Sequence, residues 1–324
     1  MHRRAFVQGS LALAAAPILG KSLTALAQEA SPAPVTPVLP VTFTDATGTE
    51  STITDVSRIV VINGELAEVV FALGLGGNVV AVDATATYPA EARELPQYGF
   101  QFGLSAEAIL SFQPTLVLGR LGFAEPIEAI EQIRSAGVPV VLVDFDNTIE
   151  TPGEKIRTLA EILGIPEAGE TLATQVEQEI ADAMALVANV EEKPRVLFLL
   201  IRGEQGVQLV GGAGTPLDAM LPAAGAINAG SEAGVQGYQP LTPEALVTAS
   251  PDVIIMQQVA FETLGGAEAL MQVPGVAETP AGQNQAFYAY DDLALLALGP
   301  RTGQILREMI ADFHPELAIA TPEA

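Results

Sequence analysis

The stretch TPGEKIRTLAEILGIPEAGETLATQVEQEIADAMALVANV, Thr151 to Val190, decides the fold. No strand-like run interrupts it. From Ala168 its apolar positions recur at helical spacing over about twenty residues, as in a helix with one buried face. Pro166 separates this long helix from a shorter one before it. The flanks differ in kind. Before it come RIVVI from Arg58, NVVAVD from Asn78, PTLVLG from Pro114 and VPVVLVD from Val138. After it come RVLFLLI from Arg195, VQLVGG from Val207, DVIIMQ from Asp252 and AFYAYD from Ala286. Short runs of Val, Ile and Leu separated by polar helical segments predict parallel sheets covered by helices. The chain therefore reads as α/β: two Rossmann-like lobes with parallel sheets, joined by a single long helix that acts as a stiff spine.

The two flanks resemble each other. LSAEAILSFQPTLVLG from Leu104 and LTPEALVTASPDVIIMQ from Leu241 share Leu, Glu, Ala and Pro in register, and each reads as helix then strand. Two related lobes facing each other across a cleft follow from that repeat. Ligands of parallel α/β sheets bind beyond the carboxyl ends of the strands. That rule puts Gly64-Glu65, Thr87-Tyr88, Gly119-Arg120 and Asp144 to Asp146 on the cleft side of the first lobe. In the second it puts Arg202-Gly203, Gly237-Tyr238, Val259 to Phe261 and Tyr290 to Asp292 there.

Composition narrows the function. The 324 residues suffice for two domains, and 49 % are apolar, so a large core is available. Aromatics make up 5 % and tryptophan is absent, so that core is aliphatic. The net charge of −25 repels nucleic acid and anionic lipid. The first residues, MHRRAFVQGSLALAAAPILG, have a basic start followed by an apolar run, with small residues at Ala25 and Ala27 for cleavage. They read as an export signal, of twin-arginine type through Arg3-Arg4 or of the general secretory type. No other run reaches the roughly 18–20 apolar residues of a membrane span. Cysteine is absent, which excludes disulfides, thiolate metal sites and a lipidated cysteine. The expectation is an exported, soluble, periplasmic or extracytoplasmic protein without a lipid anchor, acting as a monomer. Its organisation is a signal at 1–27, a Pro-rich and disordered linker at 28–40, lobes at 41–150 and 191–316 around a spine at 151–190, and a tail at 317–324.

Enzymatic readings lack their residues. No G-x-S-x-G elbow and no H-E-x-x-H motif occur, and no histidine falls on a cleft loop. GLGG at Gly74 and GGAG at Gly211 do not extend to a dinucleotide fingerprint. One residue does draw attention. In DATATYPAEARELPQYGF, Asp83 to Phe100, Tyr88 precedes Pro89 on a cleft-side loop. The proline disfavours helix at Tyr88 and holds the phenol out of the helix that follows. On the residues alone, Tyr88 reads either as a tyrosine packed on the edge of a lobe or as an exposed oxygen ligand.

The segments GELAEVVFALGLGGNVVAVDATATYP, LPQYGFQFGLSAEAILSFQPTLVL, GGAGTPLDAMLPAAGAIN, GYQPLTPEAL and LGPRTGQILREM resemble the haem-binding solute-binding proteins of bacterial ABC importers. These belong to the helical-spine class, class III of the periplasmic binding proteins, together with cobalamin and ferric-siderophore binders. The resemblance runs from about residue 42 to 315. It implies a binding protein, not an enzyme, that captures haem between its lobes and hands it to an importer permease; a ferric siderophore or a corrinoid is the alternative cargo. It makes Tyr88 the axial iron ligand, a reasonable role because a phenolate is a hard anionic donor for Fe(III) and a bound cation favours the deprotonated phenol. It implies apolar walls, for which Tyr98, Phe102, Tyr238 and Phe261 are the candidates, with Phe100 assigned to the core. Arg120 and Arg202, with Arg93 and Arg301 behind them, are the candidate partners of the haem propionates. Glu68 and Asp218 are the carboxylates expected to dock on the permease. The chain departs from the family's pattern where Phe102 and Ala213 stand near positions often held by arginine, and where Pro222 stands near a frequent glutamate.

Overall fold

The computed structural model describes residues 35–202, 207–240 and 242–317. The signal segment at 1–27 and the residues of the tail at 318–324 lie outside them, as does the first part of the linker. The described remainder of that linker is not a free tether: Val38 N–H donates to Gly164 O at 2.8 Å, and Val35 and Leu39 pack on the core. Apolar residues spaced among the prolines supply that anchorage. Next comes a small antiparallel hairpin of β1, Val41–Thr44, and β2, Glu50–Ile53, which stands apart from both main sheets.

The first lobe is built on β3 Ile59–Val61, β4 Val79–Val82, β5 Leu116–Arg120 and β6 Val140–Val143, in the order β4-β3-β5-β6 with every pair parallel. β3, β5 and β6 are buried throughout, as strands covered on both faces must be. Their side chains alternate between two cores: Ile59, Val61, Leu116, Leu118, Val141 and Val143 face one, and Val60, Val117, Val140 and Leu142 the other.

The second lobe holds β7 Arg195–Arg202, β8 Val207–Gly211, β9 Ile227–Asn228, β10 Tyr238–Pro240, β11 Val253–Gln257 and β12 Phe287–Tyr290. The order is β10-β8-β7-β11-β12, with β9 on β7. β7, β9, β11 and β12 are parallel, whereas β8 runs antiparallel to β7 and to β10. The wholly parallel sheet expected here is corrected on that side: the link from β7 to β8 is too short for a helical crossover and can only make a hairpin.

The repeat holds at the level of hydrogen bonds. Ser105 caps the helix Ala106–Ser111 by accepting from Ala108 N–H, and Thr242 caps Pro243–Ala249 by accepting from Ala245 N–H. The strands that follow, β5 and β11, occupy matching positions.

Between the lobes run the helices Thr151–Ile162 and Pro166–Leu186; the second carries the chain across. They lie very close, since a Cβ on Gly169 would meet the Ala160 side chain at 2.1 Å. Arg157 ties them further through Glu170 at 2.7 Å and through Glu177. Ile156, Leu159, Ala173, Val176 and Ile180 join one apolar cluster with residues of both sheets. No helix among the described residues is long and apolar enough to cross a membrane.

Candidate functional site

The carboxyl ends of the first lobe's strands are fastened to one another. Asn63, just after β3, accepts from Arg120 N–H at 2.6 Å and donates its amide to Gln101. Gly64, the first residue of the helix Gly64–Ala72, donates its N–H to Thr85 Oγ1 at 2.8 Å, and Thr85 in turn donates to Asp83 at 2.7 Å. The loops after β3, β4 and β5 thus form one shelf, and Tyr88 stands on it half-buried, with a cis bond to Pro89.

Over that phenol lies a cation from the other lobe. The Arg301 guanidinium carbon is 3.7 Å from the centre of the Tyr88 ring. Arg301 also grips Glu68 with two bonds, Nε to Oε1 at 3.0 Å and Nη2 to Oε2 at 3.1 Å, and bonds Asp291 at 3.0 Å. Glu68 is 2 % exposed, and burial raises its pKa above the ordinary glutamate value against the pull of Arg301. A second ionic cluster lies one turn away, where Glu65 takes Lys155 of the spine and, at 3.1 Å, Arg120. Burial pushes the Glu65 carboxyl up, but the two cations outweigh it and hold the group below its usual value. Lys155 Nζ also donates to Ala297 O at 2.6 Å, and Asn147 Nδ2 to Gly214 O at 2.8 Å, so the lobes are tied at several points.

The loops after β4 and β5 also carry an aromatic patch. Phe100 and Phe102 meet edge to face at 5.5 Å, Phe102 lies 5.9 Å from Phe123, and all three are exposed by more than a third. The Arg120 guanidinium lies 5.1 Å from the Phe123 ring centre and braces it.

Several expected roles change. Phe100 is not core but half-exposed, edge to face with Phe102. Tyr98 is not a wall: its hydroxyl donates to Val61 O at 3.1 Å, its ring packs on the lobe's outer core, and burial lifts its phenol well above the ordinary range. Arg120 is not a free cation, being 8 % exposed and bonded to Glu65 and Phe145 O. Glu68 cannot dock as it stands, because Arg301 covers its carboxylate. Asp218 is half-buried and accepts from Gly214 N–H, Ser231 and Asn228 within its own lobe. Phe261 is half-buried and packs in part against the second lobe's outer core. Tyr238 is half-buried at 6.3 Å from Phe198. Arg202 ends β7, but its side chain lies outside the described residues. Arg93, in the short helix directly after Tyr88-Pro89, is exposed.

The sequence reading missed Lys155, Phe123 and the pairing of Arg301 with both Tyr88 and Glu68. For Lys155 a signal existed, since it shares the apolar stripe of Leu159 and Ile162 at helical spacing. For Arg301 none did, because only the folded chain brings it to Glu68.

A family model described as periplasmic binding protein matches residues 59–294. The chain belongs to the periplasmic binding protein family. Its two-lobed fold is that family's class III architecture, and the family is one of binding proteins, not enzymes. This binding protein is similar to the solved structure of periplasmic heme-binding protein RhuT from Roseiflexus sp. RS-1, with 46 % identity, a TM-score of 0.78, and coverage of 81 % of this chain and 100 % of that one. It is 26 % identical to a Bacillus subtilis protein named ABC transporter substrate-binding lipoprotein YvrC, over 98 % of this chain and 99 % of that relative. It is 25 % identical to a vitamin B12-binding protein of Vibrio parahaemolyticus, over 80 % of this chain and 90 % of that relative. The expectation of a soluble protein without a lipid anchor is corrected by the lipoprotein relative, which matches nearly end to end; the sequence itself holds no cysteine. A periplasmic location is what the family supports.

Proposed function

We propose that this periplasmic binding protein captures haem between its lobes, with Tyr88 as the axial iron ligand, and delivers it as a monomer to an ABC importer permease. The observation that carries the reading is what the loops after β4 and β5 present: a half-buried phenol at Tyr88 and the exposed rings of Phe100, Phe102 and Phe123. A flat apolar ring system needs apolar walls and few polar groups, and its iron needs one donor. The heme-binding Roseiflexus relative supports the same cargo. Ferric iron drives a phenol towards its anionic form, and the Arg301 cation over the ring offsets the charge that develops there. The propionates then reach Arg93, which is exposed beside the ligand loop.

Hemin titration of the purified protein, followed by ultraviolet-visible absorption, tests this. A saturable shift of the Soret band that Tyr88→Ala abolishes is the expected result. An unchanged band and affinity in that variant would remove Tyr88 from the iron. The vitamin B12-binding relative favours a second reading, a corrinoid cargo. Equilibrium dialysis with cyanocobalamin separates the two: retention of the corrinoid without a hemin shift decides for the second.

A further inference from the structure

Asp83 follows β4 and opens the loop that carries Tyr88, and it is wholly buried. Its Oδ1 accepts from Thr85 Oγ1, the same oxygen that accepts from the Gly64 N–H. Its Oδ2 is buried without a hydrogen-bond partner. The contact with Gly64 leaves no slack. A Cβ there would sit 2.1 Å from Thr85 O and 2.8 Å from Ala86 N, backbone atoms that no rotamer change can clear. The loop is therefore pinned at its base to the helix that bears Glu65 and Glu68.

We propose that Asp83, Thr85 and Gly64 form a proton-dependent anchor for the Tyr88 loop, which holds the phenol in place while the buried carboxyl is neutral and loosens when it is charged. The proposal rests on Tyr88 being the iron ligand only for its consequence, not for the anchor itself. A neutral carboxyl keeps the Thr85 bond and leaves one hydroxyl without an acceptor. A charged one leaves the anionic Oδ2 buried without a hydrogen-bond partner, which costs more. Relief comes when the loop moves and lets water reach Oδ2. The groups facing the carboxyl are the Thr85 hydroxyl and amide from its own loop, and the Gln101 amide and the Tyr98 ring from the following segment. The Gly64 amide reaches it through Thr85. Tyr98 cannot supply the missing donor, because its hydroxyl bonds Val61 O. Burial outweighs these hydrogen bonds and pushes the carboxyl up to about 7, within the range of ordinary media.

Hydrogen–deuterium exchange of the ligand-free protein, read by mass spectrometry on peptides covering 84–90 and corrected for intrinsic rates, tests the anchor. Protection of the wild type should fall about tenfold from pH 6 to pH 8, and Asp83→Asn should show no such slope. A flat wild type, or an Asp83→Asn protein with the wild-type slope, overturns the proposal. Thr85→Val should lose protection already at pH 6 while Thr85→Ser keeps it; equal behaviour of the two would break the relay. If Asp83→Asn does not fold, the wild-type slope still tests the proton dependence and this pair the relay. A protein that binds no hemin fails the cargo reading, and the exchange data still decide the anchor.

Discussion

Tyr88 and Arg301 belong to different lobes, yet the ring of one lies under the guanidinium of the other. Replacing Tyr88 by Phe keeps the ring and removes only the oxygen. Hemin affinity should then fall by more than the roughly 10–100-fold that loss of a supporting contact costs at a metal site. Spectral titration measures it. Arg301→Gln should also act on stability, because it strands the Glu68 carboxylate in the interior; about 3–5 kcal/mol is expected from urea denaturation at pH 7. Asp83 adds a pH dependence of definite sign. Its carboxyl titrates at about 7 in the folded chain against 3.8 unfolded, so its contribution is full at acid pH and drains away as pH rises through 7. Between pH 6 and pH 8 the wild type should lose about 1.4 kcal/mol that Asp83→Asn does not lose. Paired denaturation curves at the two pH values give the difference.

At the scale of elements, the spine carries the most consequential buried charge. Lys155 is 1 % exposed and pairs with Glu65 on the helix Gly64–Ala72. Lys155→Met should cost about 3–5 kcal/mol by leaving Glu65 with Arg120 alone, and adding Glu65→Gln should recover a part of it. Denaturant midpoints of the two variants check this. The strands of the first lobe and the spine were legible because their periodicities are local: Val, Ile and Leu runs of strand length, then apolar positions at helical spacing. The repeat was legible because Ser105 and Thr242 each stand one residue after a leucine at the start of matched helices. The reversed direction of β8 was not, since VQLVGG has the same composition whichever way it pairs. The site divided similarly. The topology rule places Tyr88 and Arg120 at the cleft end of the sheet. It gives no account of what each side chain then meets, so Glu65 claimed Arg120 and Arg301 claimed Glu68 without a trace in the local pattern.

For the whole molecule the dominant field is its own acidity. A net charge of −25 makes the compact state repel itself, and salt screens that repulsion within a Debye length of about 10 Å at 0.1 M. Melting temperature should therefore rise when sodium chloride is raised from about 0.05 to 0.5 M, where the Debye length falls to a few ångström; a scanning fluorimetry series would show the trend, and a fall would contradict it. A second whole-molecule consequence comes from the apolar cluster that Ile59, Leu118, Ile156, Val176, Phe198 and Ile255 share. It joins the inner faces of the two halves, beside the outer core that each half keeps to itself. Heating should melt the molecule in one calorimetric transition whose van't Hoff and measured enthalpies agree. A fragment cut after the long helix should not persist folded on its own, so the duplicated halves, though each looks like a domain, answer to denaturation as a single cooperative unit.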